Sequence, residues 1–288
     1  MVSIIICSIS PDKCNISIDN FKETVGCSHE IIIFDNRNTK WGICKVYNHC
    51  ALQAKGDFLC FIHEDVFLKT MNWGQILEDF YNSNKDCGIL GFAGGAYSPR
   101  MFMNWYVDIR FENYTFPGER SGILETIKTN PKNELFSKVI TLDGFFLFTS
   151  RNNWIITKFD ENTFDGFHFY DMDFSMCHYL SGRINYVCHI IEATHLSRGT
   201  YEKDYFDAAG KFRSKYAKFL PQNISCCFFD RIKMELRSAF LFWMYGKRLF
   251  ISNKELRKEL YKVLKLYRFI YTYIAINIAY IRYKIRKR

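Results

Sequence analysis

No stretch of this 288-residue sequence is apolar enough to span a bilayer. A spanning helix needs about 18–20 consecutive, mainly apolar residues. The longest uncharged run near the C-terminus, Phe269 to Ile281, has thirteen. The opening MVSIIICSIS carries no basic region ahead of its short apolar run, so no secretory leader is expected. The eleven cysteines include no C-x-x-C pair and no short framework. An odd number without metal-type spacing predicts free thiols in a reducing compartment rather than disulfides or a structural zinc. Internal repeats are also missing, as is any linker rich in Pro, Gly or Ser.

What is present is a large apolar fraction, 48%, with 18% aromatic residues. That is ample for a core and excludes global disorder. The net charge of +9 is local. Residues 254–288 hold eleven Lys/Arg and two Glu, which leaves the rest of the chain neutral. The excess positive charge therefore describes a tail and says nothing about the main domain.

Apolar bursts alternate with amphipathic segments over the first hundred residues. Ser3–Ile9, Glu30–Asp35, Phe58–Ile62 and Gly88–Phe92 read as buried strands. Helices are expected over 15–25, 41–55 and 72–82, the second from the spacing of Ile43, Val46, Tyr47, Cys50, Ala51 and Ala54. Such alternation predicts an α/β fold with a mainly parallel sheet and helices on both faces. Residues 93–140, rich in Gly, Asn and aromatics, read as loops and short strands. Val139–Thr149 reads as strand, Gly turn and strand. Helices follow over 171–181 and 201–219, with a strand-like Asn185–Ile190 between them.

Ligands in such sheets bind outside the carboxyl ends of the strands. The stretch GDFLCFIHEDVFL at 56–68 runs from a turn through an apolar core and stops at His63-Glu64-Asp65. Asp35 ends the preceding strand. Three consecutive side chains able to bind a metal or a proton thus fall at the edge where a ligand belongs.

Four motifs recur in a telling order. VSIIICSI opens the chain and EIIIFDN ends the second strand at Asp35. YNHCALQAKGDFLCFIHED carries Asn48 and Asp65, and YDMDFSMCHYLSG carries Asp171. Over roughly residues 2–200 this pattern resembles the inverting GT-A glycosyltransferases, specifically family-two-like bacterial enzymes. That family has a proline where Cys7 stands, a second Asp where Asn36 stands, the first Asp of D-x-D where His63 stands, and a Glu where Tyr170 stands. The combination of H-x-D with Y-D-x-D looks like a divergent subgroup.

The resemblance implies a GT-A domain, and the shift to long helical, basic sequence sets its expected bounds at 1–225, with a helical, basic extension over 226–288. The resemblance also implies roles. Glycosyl transfer from a nucleotide sugar leaves negative charge on the departing diphosphate, which Mn²⁺ or Mg²⁺ stabilises. By resemblance Asp65 holds that ion, assisted by His195, and His63 is either a ligand or a group that orients one. Asp171 is the general base that takes the acceptor's proton. Ser8, Asp35, Asn48 and Glu64 contact the nucleotide, Asp143 and Gly144 face the acceptor or donor sugar, and Arg198 pairs with the diphosphate.

Each residue also has an ordinary reading. Asp65 and Asp35 could simply cap turns after strands. Asp171 suits a helix start, and Asp173 favours the same start and rivals it as base. Ser8 serves tight packing, and Asn48 serves helix packing or capping. Asp143-Gly144 is a common turn pair, and His195 could be a plain loop histidine.

In the tail, Lys254, Arg257, Lys258, Lys262, Lys265 and Arg268 share one side of a helix at ~100° per residue. YIAINIAYI and IRYKIRKR close the chain. This fits a helix lying on an anionic membrane; a hairpin packed on the core or an oligomer contact would show the same charges. The large apolar face disfavours nucleic acid.

The expected function is therefore transfer of a sugar from a nucleotide-diphosphate donor, a UDP-sugar first among them, to a glycan or lipid-linked acceptor. The expected setting is surface polysaccharide or lipopolysaccharide assembly at the inner face of the plasma membrane. The alternative is a non-catalytic GT-A-like scaffold at the membrane, motivated by the departures at His63 and Tyr170. A sugar nucleotidyltransferase needs a Gly-rich loop after its first strand, and SISPDKCN has no Gly.

Overall fold

The computed structural model describes residues 1–106, 109–118, 123–197 and 202–264. The chain divides into two compact units, one of Met1–Ala96 with Ile109–Gly199 and one of Tyr97–Asp108 with Thr200–Arg288.

The first unit opens as the alternation predicts: β1 (Val2–Ser8), α1 (Pro11–Thr24), β2 (His29–Asp35), α2 (Ile43–Gln53), β3 (Phe58–His63), a short β4 (Val66–Leu68), α3 (Trp73–Ser83) and β5 (Cys87–Gly91). Ile4, Ile5 and Ile6 of β1 are all buried, as are Leu59 to Ile62 of β3. Unbroken burial means that both faces of these strands are covered, the mark of a central parallel strand. Each such side chain contributes about 1.5–3 kcal/mol on burial. Pro11 starts α1, where its missing N–H costs nothing. Trp73 at the start of α3 is fully buried and donates its indole N–H to Thr24 Oγ1 at 3.1 Å, tying α3 to the end of α1.

After β6 (Ala93–Gly95), and β7 (Tyr97–Ser98) of the second unit, come β8 (Arg110–Pro117), β9 (Leu124–Thr129), β10 (Phe136–Val139), β11 (Thr141–Leu142) and β12 (Phe146–Ser150). The first unit ends with α4 (Arg151–Ile156), α5 (Tyr170–Leu180), β13 (Ile184–Cys188) and β14 (Ala193–His195). Its main sheet has the order β10-β13-β5-β12-β3-β1-β2. β10 and β12 run antiparallel to the rest. A second sheet has the order β11-β6-β8-β14-β4, with β9 paired to β8.

Residues 93–140 hold more strand than their composition suggests. β8 and β9 form a long antiparallel ladder from Glu112↔Thr129 to Pro117↔Leu124. β9 is exposed along two-thirds of its length and lacks apolar alternation, so nothing in its sequence marks it. The strand expected before the Gly turn is divided between the sheets: Val139 ends β10 in the main sheet, and Thr141–Leu142 joins β6 in the second. The Asp143-Gly144 turn follows, and β12 returns into the main sheet beside β3.

The second unit holds α6 (Lys203–Lys215), β15 (Gln222–Asn223), α7 (Phe228–Arg248) and α8 (Asn253–Leu264). β15 pairs with β7. Glu235 of α7 is buried, accepts from the Tyr97 hydroxyl at 2.8 Å and from the Arg100 backbone N–H at 3.1 Å, and has its pKa raised by burial. Residue 225, where the basic extension was expected to begin, lies within this unit shortly before α7. Leu256 and Leu260 of α8 are buried, with Leu256 packed on Gly246 of α7. Lys254, Arg257 and Lys258 are exposed. Among the described residues, no helix is long and apolar enough to cross a membrane.

Candidate active site

Strand register sets the site. Ser8 lies opposite Asp35 and Cys7 opposite His63, so the carboxyl ends of β1, β2 and β3 line up at one edge. Glu64, the next residue along, turns back to this edge. One of its oxygens accepts from Ser8 Oγ at 2.6 Å and from the backbone N–H groups of Ile9 and Ser10 at 3.1 and 2.9 Å. Ser10 caps α1 without a side-chain hydrogen bond. Glu64 supplies the negative charge that a helix N-terminus attracts. Ser8 and Glu64, both expected to contact a nucleotide, therefore hold each other at the edge.

His195 reaches the same edge from the far end of the unit. β14 pairs antiparallel with β4, placing His195 opposite Val66, and Leu196 N–H donates to the Asp65 carbonyl at 3.1 Å. His195 Nε2 then lies 3.4 Å from Asp65 Oδ1 and 3.4 Å from His63 Nδ1. One donor atom from each of His63, Asp65 and His195 falls within 4.8 Å of the others, the one group of this kind among the described residues. Phe145 stacks on the His195 ring at 4.8 Å, and Phe167 lies 5.6 Å from the His63 ring.

The protonation states suit a cation. Burial, then the neighbouring His195, pushes His63 down to about 3, so its ring is neutral. Burial alone would raise Asp65, but its hydrogen bond and charge interaction with His195, with Ser197 and His63 adding, hold it well below the usual carboxylate range. Metal ligands must be neutral imidazole and ionised carboxylate. Two nitrogens and one oxygen, converging and largely shielded from water, fit a divalent ion of intermediate softness.

The third part is the turn after β11. His63 N–H donates to the Phe145 carbonyl at 3.1 Å, which fixes the Asp143–Phe145 turn beside the end of β3. Asp143 Oδ1 accepts from Phe145 N–H at 3.2 Å. Asp171, in the first turn of α5, is buried. Burial foremost, and then the charge of Asp143, raise its carboxyl to about 7. Its Oδ1 accepts from Met172 N–H at 2.9 Å. A Cβ on Gly144 would fall on the Tyr170 hydroxyl and 2.9 Å from Asp171 Cβ, so only glycine lets this turn approach α5 so closely. Asp173, the rival base, is buried deeper, at 1% exposure against 9%.

The remaining candidates are placed as follows. Asp35 is exposed and forms a bidentate pair with Arg37 at 2.9 and 2.6 Å, and the Arg37 hydrogen bonds lower it to about 2. Asn48 does not join the site. Its amide donates to the Phe159 carbonyl and to Glu161, and its oxygen accepts from Trp154 Nε1 and Phe159 N–H. With all four positions taken, it ties α2 to α4 and the segment after it, the helix-packing reading of this residue. Arg198 lies outside the described residues. Of two further members, His63 was read as a ligand or a group that orients one, and Tyr170 was given no role. His63 is in the cluster, and Tyr170 bonds to it at 2.7 Å. Their common signal was that both depart from the family pattern.

The fold has known counterparts. The profile of the glycosyltransferase-like family matches residues 3–194. No curated protein matches. Among solved structures, S. aureus TarS 1–349 in complex with UDP-GlcNAc superposes with a TM-score of 0.51 and 13% identity, over 85% of this chain and 71% of that one. GalNAc-T7, solved with UDP, GalNAc and Mn²⁺, superposes with a TM-score of 0.50 and 10% identity, over 69% of this chain. The match spans 43% of the GalNAc-T7 chain, less than half its length. The architecture is thus that of the GT-A glycosyltransferases. By its sequence the chain belongs to the glycosyltransferase-like family.

Proposed function

We propose that this chain transfers a sugar from a nucleotide-diphosphate donor to a hydroxyl acceptor, with inversion and with a divalent cation. The observation that carries this reading is the convergence of His63, Asp65 and His195 at the carboxyl edge of the sheet. It lies beside the turn that Asp171 packs against. TarS and GalNAc-T7, which share the fold, were solved with UDP-GlcNAc and with UDP and Mn²⁺ respectively.

Mn²⁺ or Mg²⁺, held by His63, Asp65 and His195, would supply positive charge for the leaving diphosphate. Everything else falls to the chain. The acceptor oxygen forms its bond to the anomeric carbon as the bond to the diphosphate oxygen breaks. Attack on the face opposite the leaving group inverts that carbon. The acceptor's proton passes to an Asp171 carboxylate oxygen. A carboxyl near 7 suits this, because a base is most effective with a pKa near the working pH. Asp35 and the Ser8–Glu64 pair sit where the nucleoside would lie.

An acceptor linked to lipid, and contact with an anionic membrane at the inner face, belong to the same proposal. The exposed cations Lys254, Arg257 and Lys258 of α8 favour an anionic surface. Leu256 and Leu260 of that helix are turned inward, as in a hairpin packed on its neighbour. Apolar insertion therefore falls to residues 265–288, outside the described part. Deleting 254–288 should release the protein from anionic liposomes, and unchanged co-sedimentation would refute the contact.

The test of the central reading is a thermal-shift panel of UDP, GDP, dTDP and CMP, each with and without Mn²⁺. A shift for one nucleotide that needs both Mn²⁺ and Asp65 supports it and names the donor class. No shift with any nucleotide overturns it.

A further inference from the structure

His63 and Tyr170, two positions at which this sequence departs from the family's pattern, are bonded to each other. His63 Nε2 lies 2.7 Å from the Tyr170 hydroxyl oxygen, which lies 2.9 Å from the Gly144 carbonyl. A phenol has one proton and a carbonyl can only accept. Were the proton directed at His63, the Tyr170 and Gly144 oxygens would face each other without a hydrogen between them. Both contacts are satisfied in one way only. Tyr170 donates to Gly144, and His63 donates its Nε2–H to Tyr170. A ring that is to bind a cation carries one proton, so with Nε2 protonated Nδ1 keeps its lone pair. Nδ1 is the atom that faces His195 Nε2.

We propose that Tyr170 is a positioning residue whose hydroxyl fixes His63 in the Nε2–H tautomer and thereby presents Nδ1 as a ligand to a divalent cation shared with Asp65 and His195. The inference rests on the cation site described above and adds the group that prepares it. Partners of this sort set the tautomer and ring orientation of metal-binding histidines. Two further features support the assignment. Gly144 has no side chain, which is what admits the Tyr170 hydroxyl to its carbonyl. Phe169, immediately before Tyr170, is held at φ +67°, a conformation that a bulky residue rarely adopts. Its surroundings therefore enforce the direction in which Tyr170 leaves the chain. Tyr170 also adjoins Asp171. One hydroxyl thus links the cation ligand His63, the sugar-facing turn at Gly144 and the helix that bears the base.

Tyr170→Phe removes the hydroxyl and keeps the ring, which packs near Tyr47 and Phe159. Mn²⁺ alone is titrated against wild type, Tyr170→Phe and Asp65→Ala, with binding read by electron paramagnetic resonance and folding by melting temperature. The expected result is 10–100-fold weaker Mn²⁺ binding by a folded Tyr170→Phe protein. In parallel, the metal-free wild type labelled with ¹⁵N-histidine should show His63 protonated at Nε2, its signals identified by their loss in His63→Gln. Wild-type Mn²⁺ affinity in folded Tyr170→Phe, or a His63 protonated at Nδ1, overturns the proposal. Should Tyr170→Phe fail to fold, the tautomer decides alone. If wild type and Asp65→Ala both ignore Mn²⁺, the cation site itself falls and this inference with it. If Asp65→Ala loses the ion but Tyr170→Phe does not, only the role of Tyr170 falls.

Discussion

Asp65 and His195 meet at 3.4 Å, Oδ1 to Nε2, because β14 pairs with β4 in a register that sets His195 opposite Val66. Neither residue makes the pairing by itself; the second sheet does. If both serve one cation, removing either removes the site. Asp65→Ala and His195→Ala should each abolish the rise in melting temperature on adding Mn²⁺. The double variant should be no worse than the singles, since groups that act as a unit are not additive. Scanning calorimetry with and without Mn²⁺ checks this. An undiminished Mn²⁺ response in either single variant would remove that residue from the centre.

Asp171 links rate to stability. Its carboxyl is raised to about 7 by burial and by Asp143. Because the folded value lies above the unfolded one, folding favours the protonated form. That contribution is complete below about pH 4 and is lost as pH rises through 7. Asp171→Asn carries no charge at any pH. It should therefore melt above wild type at pH 8 and level with it near pH 4, with a difference on the order of a few kcal/mol. The same change should cut transfer by at least ~10²-fold and leave nucleotide binding intact. Wild-type transfer should climb with pH through about 7. A flat pH profile would count against Asp171 as the base.

Asp35 and Glu64 share an edge but differ in what they hold. Asp35 is exposed and pairs with nearby Arg37, and surface ion pairs add little to stability. Asp35→Ala should leave the melting temperature unchanged while weakening nucleotide binding. Glu64 accepts three hydrogen bonds ahead of α1. Glu64→Ala strands those donors and should destabilise the fold by about 1–3 kcal/mol. Chemical denaturation separates the two outcomes. Equal losses in both variants would contradict this division.

Much of this was legible in the chain. β1 and β3 announced themselves because strands covered on both faces need unbroken apolar runs, and their polar ends marked the ligand edge. Asp65, Asp171 and His195 stood out as candidates because their chemistry is scarce at such positions, and the fold brings Asp65 and His195 together. β9 was missed because an exposed ribbon needs no apolar pattern. The partners of Asn48 were not legible, because spacing places a residue on a helix but does not say which way its amide bonds. The partnership of His63 and Tyr170, 107 positions apart, was invisible for a different reason. It depends on how close α5 comes to the turn after β11, and that approach is set by a missing side chain at Gly144.

Gly144 therefore offers a test of the whole arrangement. A methyl group there would overlap the Tyr170 hydroxyl and press on Asp171 Cβ at 2.9 Å. The hydroxyl cannot swing aside freely, since His63 and the Gly144 carbonyl both bond to it. Gly144→Ala should cost about 1–3 kcal/mol by overpacking. It should also weaken Mn²⁺ binding and slow transfer together, because α5 carries both Tyr170 and Asp171. In the ringless background Tyr170→Ala, which removes the two nearest contacts, the added methyl should cost clearly less stability than in wild type. If Gly144→Ala costs as much there as in wild type, the clash lies elsewhere and the close approach of this turn to α5 is not what glycine secures.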